Sequence, residues 1–255
     1  MENLTIIIPV GKFTTDEQVD LCYKAIKSAK DNKIIVAGPQ KELDKLNKDC
    51  SVPFTKVANK GRNTSYSANV NLAVKDIDTD YFSVLEFDDI YSDIWFKNAE
   101  EYIKNDTDNV MAFLPLTEVV DYNTQDVIGY SNEAVWAASF SDELGYFSLD
   151  SLMDYLGFNM SGAIIRKDDY VSLGGLKESM KLVNWYEFLL RVLYKEKKIF
   201  VVPKVGYYHF VNRPESITTE YQNNMTEKEA DWWIELAKKE YFFPQDRKKT
   251  YSEDE

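Results

Sequence analysis

The chain has little cysteine, a single histidine and no long hydrophobic run, and each shortage removes a class of protein. Cys22 and Cys50 are the only cysteines, which supplies neither a disulfide framework nor a structural zinc set. No apolar run approaches the roughly 18 residues that suggest a membrane-spanning helix. The N-terminus lacks the charged-then-apolar order of a secretory signal. Internal repeats and low-complexity tracts are missing as well. Basic charge is scarce, with 30 Lys and Arg against 43 Asp and Glu, a net charge of −13. Such a surface is repelled by nucleic-acid backbones and anionic membranes, so neither is an expected partner. The expectation is a soluble cytoplasmic protein.

What the chain does have is acid and aromatic side chains, and one stretch combines them: Tyr81 to Asp93, YFSVLEFDDIYSD. Tyr81, Phe82, Val84, Leu85 and Phe87 form an apolar run too short for an amphipathic helix. It suits a central parallel strand buried on both faces. At its C-terminal end stand Glu86, Asp88 and Asp89, with Asp93 four residues beyond Asp89. Acids clustered at the end of a hydrophobic strand are costly unless a cation or water offsets their repulsion. Open α/β sheets bind ligands beyond the carboxyl ends of their strands. Mg2+ there takes one or two carboxylates together with substrate phosphates. Asp88 is the best candidate ligand. Glu86 is next, because alternate residues of an extended Glu86-Phe87-Asp88 share one side. The plainer reading is a solvated turn in a generally acidic chain.

Strands and helices alternate around this stretch. Leu4 to Val10 reads as a buried strand stopped by Pro9 and Gly11, and Thr15 with Gln18 as a capping box. Val19, Cys22, Ile26 and Ala29 then share one helical face. Lys33 to Ala37 is a second strand ended by Gly38-Pro39, Gln40 to Asn47 a short helix, and Val52 to Val57 a third strand. Ser65 caps a helix carrying Tyr66, Val70, Ala73 and Val74. This order predicts an α/β fold with a mostly parallel, doubly wound, Rossmann-like sheet continuing into a smaller mixed region. Further on, the pattern predicts a strand over Val110 to Leu114 stopped by Pro115. An irregular region follows from 117 to 147, with a β-prone piece over Ala134 to Phe140. A strand is expected over Gly162 to Arg166, an amphipathic helix over Val183 to Glu196, and two late strands over Ile199 to Val202 and Gly206 to Phe210. A helix over Glu227 to Glu240 closes the chain.

Five segments follow one another in a telling order: Thr5-Ile6-Ile7-Ile8-Pro9-Val10; Asn59-Lys60-Gly61 with Ala68-Asn69; Leu85-Glu86-Phe87-Asp88-Asp89; Ser161 to Arg166 with Leu173-Gly174-Gly175-Leu176; and Tyr186-Glu187 with Arg191 and the stretch from Tyr208-His209 to Ser216. Over roughly residues 4 to 217 the chain resembles the A-type (GT-A) glycosyltransferases, near the family-2 group. The resemblance implies transfer of a sugar from a nucleotide-diphosphate sugar, a UDP-sugar being the expected donor, to a glycan or other hydroxyl acceptor, with Mn2+ or Mg2+. Residues 1–109 would be the nucleotide-sugar half, 110–225 the acceptor half, and 226–255 a helix with a frayed tail. Glu86-Phe87-Asp88 sits where the family has its Asp-x-Asp metal motif, and a late histidine, His209, would complete the site. Pro9, Val10, Gly38, Asn69, Glu86 and Phe87 would line the donor. Lys60, Arg62 and Arg213 are candidates for its phosphates or base. Asp89 would act on the sugar, and Trp136 and Trp185 would pack against the acceptor. For His209 the competing reading is a structural histidine; for the aromatics it is core packing.

Two departures stand out. The second strand runs into Ala37-Gly38-Pro39, where many members place an acid that reads the base. Asn184-Trp185 stand where a Glu-Asp pair commonly supplies the base of inverting members. Glu187 is the nearby acid and the candidate base, against a plainer pairing with Arg191 one helical turn on. A domain that binds sugar nucleotide or glycan without transfer is the main alternative. A nucleotidyltransferase fits less well, because only Gly11-Lys12 follows the first strand where a Gly-rich basic loop is expected.

Overall fold

The hydrophobic runs of the first ninety residues pair with one another, and their alternation determines which helices cover which face. The structure, a computed structural model, describes residues 1–46, 50–213 and 226–244. Strands β1 (Leu4–Pro9), β2 (Lys33–Pro39), β3 (Thr55–Asn59) and β4 (Tyr81–Val84) lie side by side in the order β3-β2-β1-β4, all parallel. Because successive side chains of a strand point to opposite faces, Ile7 enters one core while Ile6 and Ile8 enter the other. The first core takes Val70 and Val74 of α3 (Tyr66–Asp76) and Phe188 and Leu189 of α7 (Asn184–Tyr194). The second takes Cys22 and Ile26 of α1 (Asp16–Ser28) and Trp95 of α4 (Trp95–Lys104). Two buried faces on a continuous apolar strand make the doubly wound arrangement that the periodicity predicts. Thr15 caps α1 by accepting from the Gln18 amide, but Gln18 reaches back to the Thr14 amide rather than to that of Thr15. Ser65 caps α3.

Beyond β4 the sheet becomes mixed, continuing β4-β8-β6-β9-β5 with β7 on β6. Here β5 is Ile90–Tyr91, β6 Val110–Asp121, β7 Val127–Ser131, β8 Ile164–Arg166 and β9 Lys198–Val211. The antiparallel β8 separates β4 from the long parallel pair β6 and β9. Several boundaries differ from expectation. Pro115 does not end β6: the register shifts between Leu114 and Leu116, and such an irregularity tolerates a residue with no N–H to donate. The two expected late strands are one, running through Pro203. The segment from Ala134 to Phe140 is not a strand. Asn132 turns the chain in the left-handed region at φ 74, its side-chain Nδ2 donates to the Pro115 carbonyl, and a 3-10 turn follows over Glu133–Trp136. The strand expected from Gly162 starts at Ile164, after a left-handed Gly162 whose amide donates to the Val84 carbonyl. The helix near the C-terminus, Glu227–Glu240, is α8, and its Ala237 joins the first core. Among the described residues no helix is long and apolar enough to cross a membrane.

Gly162 joins the fold to the ligand face. Its φ is +80, and a Cβ there would lie 2.5 Å from the Tyr207 ring. The hydroxyl of that ring accepts from the Glu86 amide. Gly162→Ala should therefore lower stability by roughly 1–3 kcal/mol from backbone strain, with the ring clash added. A urea midpoint equal to the parent's would show that Tyr207 yields at no cost.

Candidate functional site

The chain leaves the sheet after Val84, and a bond from the Asp89 amide to the Glu86 carbonyl closes a turn. Glu86-Phe87-Asp88 is therefore not extended, and the expectation that Glu86 and Asp88 share one side gives way to a different arrangement. Each acid of the turn goes to its own partner. The Glu86 carboxylate accepts from the Tyr66 hydroxyl at 2.8 Å and the Ser161 hydroxyl at 3.3 Å. Asp88 pairs with Arg213 at 2.6 Å, and that guanidinium lies over the Phe87 ring, 5.3 Å from its centroid. Asp89, 1% exposed, holds His209 Nδ1 at 2.9 Å with one oxygen and accepts from the Phe210 amide with the other.

Crowded carboxylates away from bulk water favour their neutral form. Burial, then the charges of Asp88 and Asp89, push Glu86 up to about 7 despite the Tyr66 bond. Burial and Asp89 push Asp88 up to about 6, against the pull of Arg213. His209 is drawn down by burial, but the Asp89 bond and the surrounding carboxylates outweigh that and raise it to about 9. Burial also carries the hydroxyls of Tyr66 and Tyr207 well above their ordinary value, so both remain protonated.

This donor set fits a divalent cation on one condition. A metal-ligating histidine usually gives its other ring N–H to a carboxylate, and the Asp89 bond to Nδ1 does that; the condition is that His209, raised to about 9, gives up its second proton so that Nε2 can ligate. Asp88 adds a hard oxygen. Among the described residues, however, no three His, Cys, Asp or Glu side chains stand together as a metal group. The arrangement therefore suits a cation shared with oxygens of a bound substrate, not an all-protein cage.

The other candidate residues are spread unevenly. Val10 and Gly38 meet at the carboxyl ends of β1 and β2, where a Cβ on Gly38 would collide with the Val10 carbonyl, so this glycine permits close strand approach. Pro9 is buried as the last residue of β1. Asn69 is also buried, donating to the Val10 and Thr64 carbonyls and accepting from Asn59. It ties the loop of residues 59–65, on which Lys60 and Arg62 are exposed, to the end of β1. Trp185 is linked to the acid turn through Tyr66, its Nε1 donating to the Tyr66 hydroxyl at 3.0 Å. Trp136 is not. It packs edge-on to Phe200, nine residues from His209 along β9, roughly 30 Å in an extended strand. Tyr66, Ser161 and Tyr207 were not singled out as site residues. Tyr66 and Tyr207 read only as apolar positions of a helix and a strand, and nothing in their spacing marks their hydroxyls. A cavity of about 870 Å3 lies elsewhere, along α1 with Lys24, Cys50 and Tyr122 on its wall.

Glu187 is not placed to act as a base. It is fully buried, bonded to Arg191 at 3.1 and 2.6 Å and to Lys177 at 3.0 Å. Arg191 also donates to the carbonyls of Leu173 and Pro244. The pairing one helical turn on is the reading that this geometry supports. The first turn of α7 presents Asn184, bonded to Ser67, and Trp185, after a strained Val183 at φ 52.

Solved structures share this architecture, although no protein-family model and no curated protein matches the chain. S. aureus TarS 1–349 in complex with UDP-GlcNAc aligns with a TM-score of 0.59 at 14% identity, over 86% of this chain and 61% of that one. The same fragment with UDP aligns at 0.57 and 15%, over 95% and 72%. A third TarS 1–349 structure aligns at 0.56 and 13%, and this chain spans 60% of its length. The likeness is one of fold, and the fold is that of the GT-A glycosyltransferases.

Two outcomes follow from the site. Removing Glu187 leaves two buried cations without their anion, so Glu187→Gln should cost roughly 3–5 kcal/mol in chemical denaturation; a near-neutral result would mean that the triad is not closed. For His209, a folded-state pKa near 9 against 6.5 unfolded means that its contribution is fully present below pH 6.5 and lost as pH rises through 9. The stability difference between the parent and His209→Gln should shrink across that window; a difference that grows with pH would contradict the assigned Asp89 pairing.

Proposed function

We propose that this GT-A chain transfers a sugar from a nucleotide-diphosphate sugar, with UDP as the nucleotide, to a hydroxyl of a glycan or other acceptor, in the presence of Mn2+ or Mg2+. The observation that carries the reading is the half-buried acid turn Glu86–Asp89 at the end of the parallel strands, with His209 and Arg213 brought onto it. Ligands bind open α/β sheets at that edge. The UDP-GlcNAc and UDP complexes of TarS, which share the fold, support a sugar nucleotide as donor.

Asp88 and His209 Nε2 are the groups that would hold the cation, which when bound with the donor stabilises the charge gathering on the leaving diphosphate. Asp89 does not touch the donor in this scheme; it fixes the tautomer and orientation of His209. Tyr66 and Ser161 hold the Glu86 carboxyl beside the turn. Lys60 and Arg62, exposed on the loop that Asn69 secures, are the candidates for phosphates or base. Trp185, its ring fixed by Tyr66, offers an apolar face to the C–H side of an acceptor sugar.

A second reading, donor binding without transfer, draws on the first turn of α7, where Asn184 and Trp185 supply no carboxylate and Glu187 is sealed in the core. Incubation with labelled UDP-sugars and Mn2+ separates the two: sugar release or transfer supports the enzyme, and binding without turnover selects the second reading. Asp88→Asn should abolish Mn2+-dependent UDP binding by calorimetry while the protein stays folded. Unchanged affinity in that variant would remove the acid turn from the donor site.

A further inference from the structure

Arg213 is set on the acid turn by an unusual amount of local structure. The residue before it, Asn212, is left-handed at φ 61. Its side-chain amide donates to Asp121 at 2.6 Å, and its carbonyl accepts from Asn123 at 3.0 Å. Asp121 is the last residue of β6 and pairs in register with Val211, so this bend is pinned where the long parallel ladder ends. The bend returns the chain over the turn. There the guanidinium is 5% exposed, lies over Phe87 and contacts Asp88 at 2.6 Å. It therefore holds Oδ2 of the carboxylate that the proposed function gives to the divalent cation. A divalent cation brought to the other oxygen, Oδ1, would stand close to the guanidinium, and like charges that near repel.

We infer that Arg213 is an exchangeable counter-ion: it neutralises Asp88 in the free protein and moves to the donor's diphosphate when a divalent cation arrives with the nucleotide. The inference rests on the proposed donor site and adds an order of events to it. The free protein, with net charge −13, avoids leaving three bare carboxylates at one turn. The guanidinium is the planar fork that bridges carboxylate and phosphate oxygens equally well, so the same side chain serves both states. The exchange also makes metal and nucleotide binding cooperative. Metal alone has to displace Arg213 with nothing to receive it, whereas metal with nucleotide supplies the new anionic partner.

The test measures Mn2+ binding without nucleotide, by the loss of the free-ion spin-resonance signal, and UDP binding at saturating Mn2+ by calorimetry. In Arg213→Gln, Mn2+ alone should bind more tightly, within the roughly 5–150-fold span of ordinary coupling. UDP in Mn2+ should bind roughly 10- to 100-fold more weakly, as expected for a lost charge-assisted contact. In the double variant Asp88→Asn/Arg213→Gln the gain in Mn2+ affinity should vanish, because Asp88 is the contested group; a gain that persists would reduce Arg213 to a general field effect and overturn the exchange. Arg213→Lys, which keeps the charge, should hold Mn2+ affinity near the parent's and guards against misfolding of the Gln variant. Mn2+ and UDP affinities both unchanged in Arg213→Gln overturn the exchange while leaving the donor site standing. Failure of the parent itself to bind UDP in a Mn2+-dependent way overturns the proposed function and the exchange together.

Discussion

Repulsion among three carboxylates within four residues is the constraint on which the rest of this face depends. Glu86, Asp88 and Asp89 leave a strand that is buried on both sides, so water solvates them only in part. The solution is division. One acid takes neutral hydroxyls, one a guanidinium and one an imidazole, and the carboxyls that stay uncomfortable are those whose affinity for a proton has risen. Such pairs differ in kind from Lys33–Asp78 on the surface, whose partners are 55% and 75% exposed and contribute roughly 0–1 kcal/mol. Near the turn, partial desolvation strengthens attraction and repulsion alike, so a change at any one partner is felt by the other acids.

Two of the three solutions arrive from far along the chain. His209 is 120 residues from Asp89, and it is delivered by the pairing of β9 with β6, in which Val119 opposes His209 and Asp121 opposes Val211. Side chains alternate along a strand, so a slip of one residue in that ladder would turn His209 away from Asp89 and present Tyr208 or Phe210 instead. The irregularities around Pro115 adjust the register before the functional stretch begins. β5 secures the result from the other side: Ile90, directly after the acid turn, pairs with Tyr208, and Tyr91 pairs with Tyr207. The turn and the strand that serves it are thus hydrogen-bonded neighbours.

Much of this was legible in the residues. The continuous apolar strands, the caps at Thr15 and Ser65 and the acid cluster at a strand end depend on local rules, and those rules place β1 to β4 and the turn. The parts that were not legible are non-local. Pro115 reads as a strand stop, and the late stretch through Pro203 as two strands, because nothing in either neighbourhood reveals a ladder that can absorb a missing N–H. Ala134 to Phe140 has strand composition, but Asn132 spends its side chain on the Pro115 and Asn159 carbonyls and turns the chain aside. Tyr66 and Tyr207 carry their function in a hydroxyl at the end of an otherwise apolar ring, and a hydrophobic pattern records only the ring. Glu187 as base and Glu187 as partner of Arg191 read alike in the sequence for the same reason. An acid at the start of a helix near a resemblance looks available, and only the folded chain shows Lys177 and Arg191 closing over it.

The face of α7 that would carry a base instead carries a wall. Tyr66 has one hydroxyl proton, and it is committed to Glu86, so the same oxygen must act as acceptor toward Trp185 Nε1. The three side chains form a directional chain from indole to phenol to carboxyl that fixes the indole ring beside the acid turn. No carboxylate stands at this point of α7, and the acid one turn into the helix is neutralised in the core. Within the proposed function, this face of α7 meets the acceptor with a fixed ring and no carboxylate of its own. Glu86, the carboxyl at the end of that chain, is raised to about 7 by burial and by its acidic neighbours. The crowding that makes the turn costly is also what raises that carboxyl.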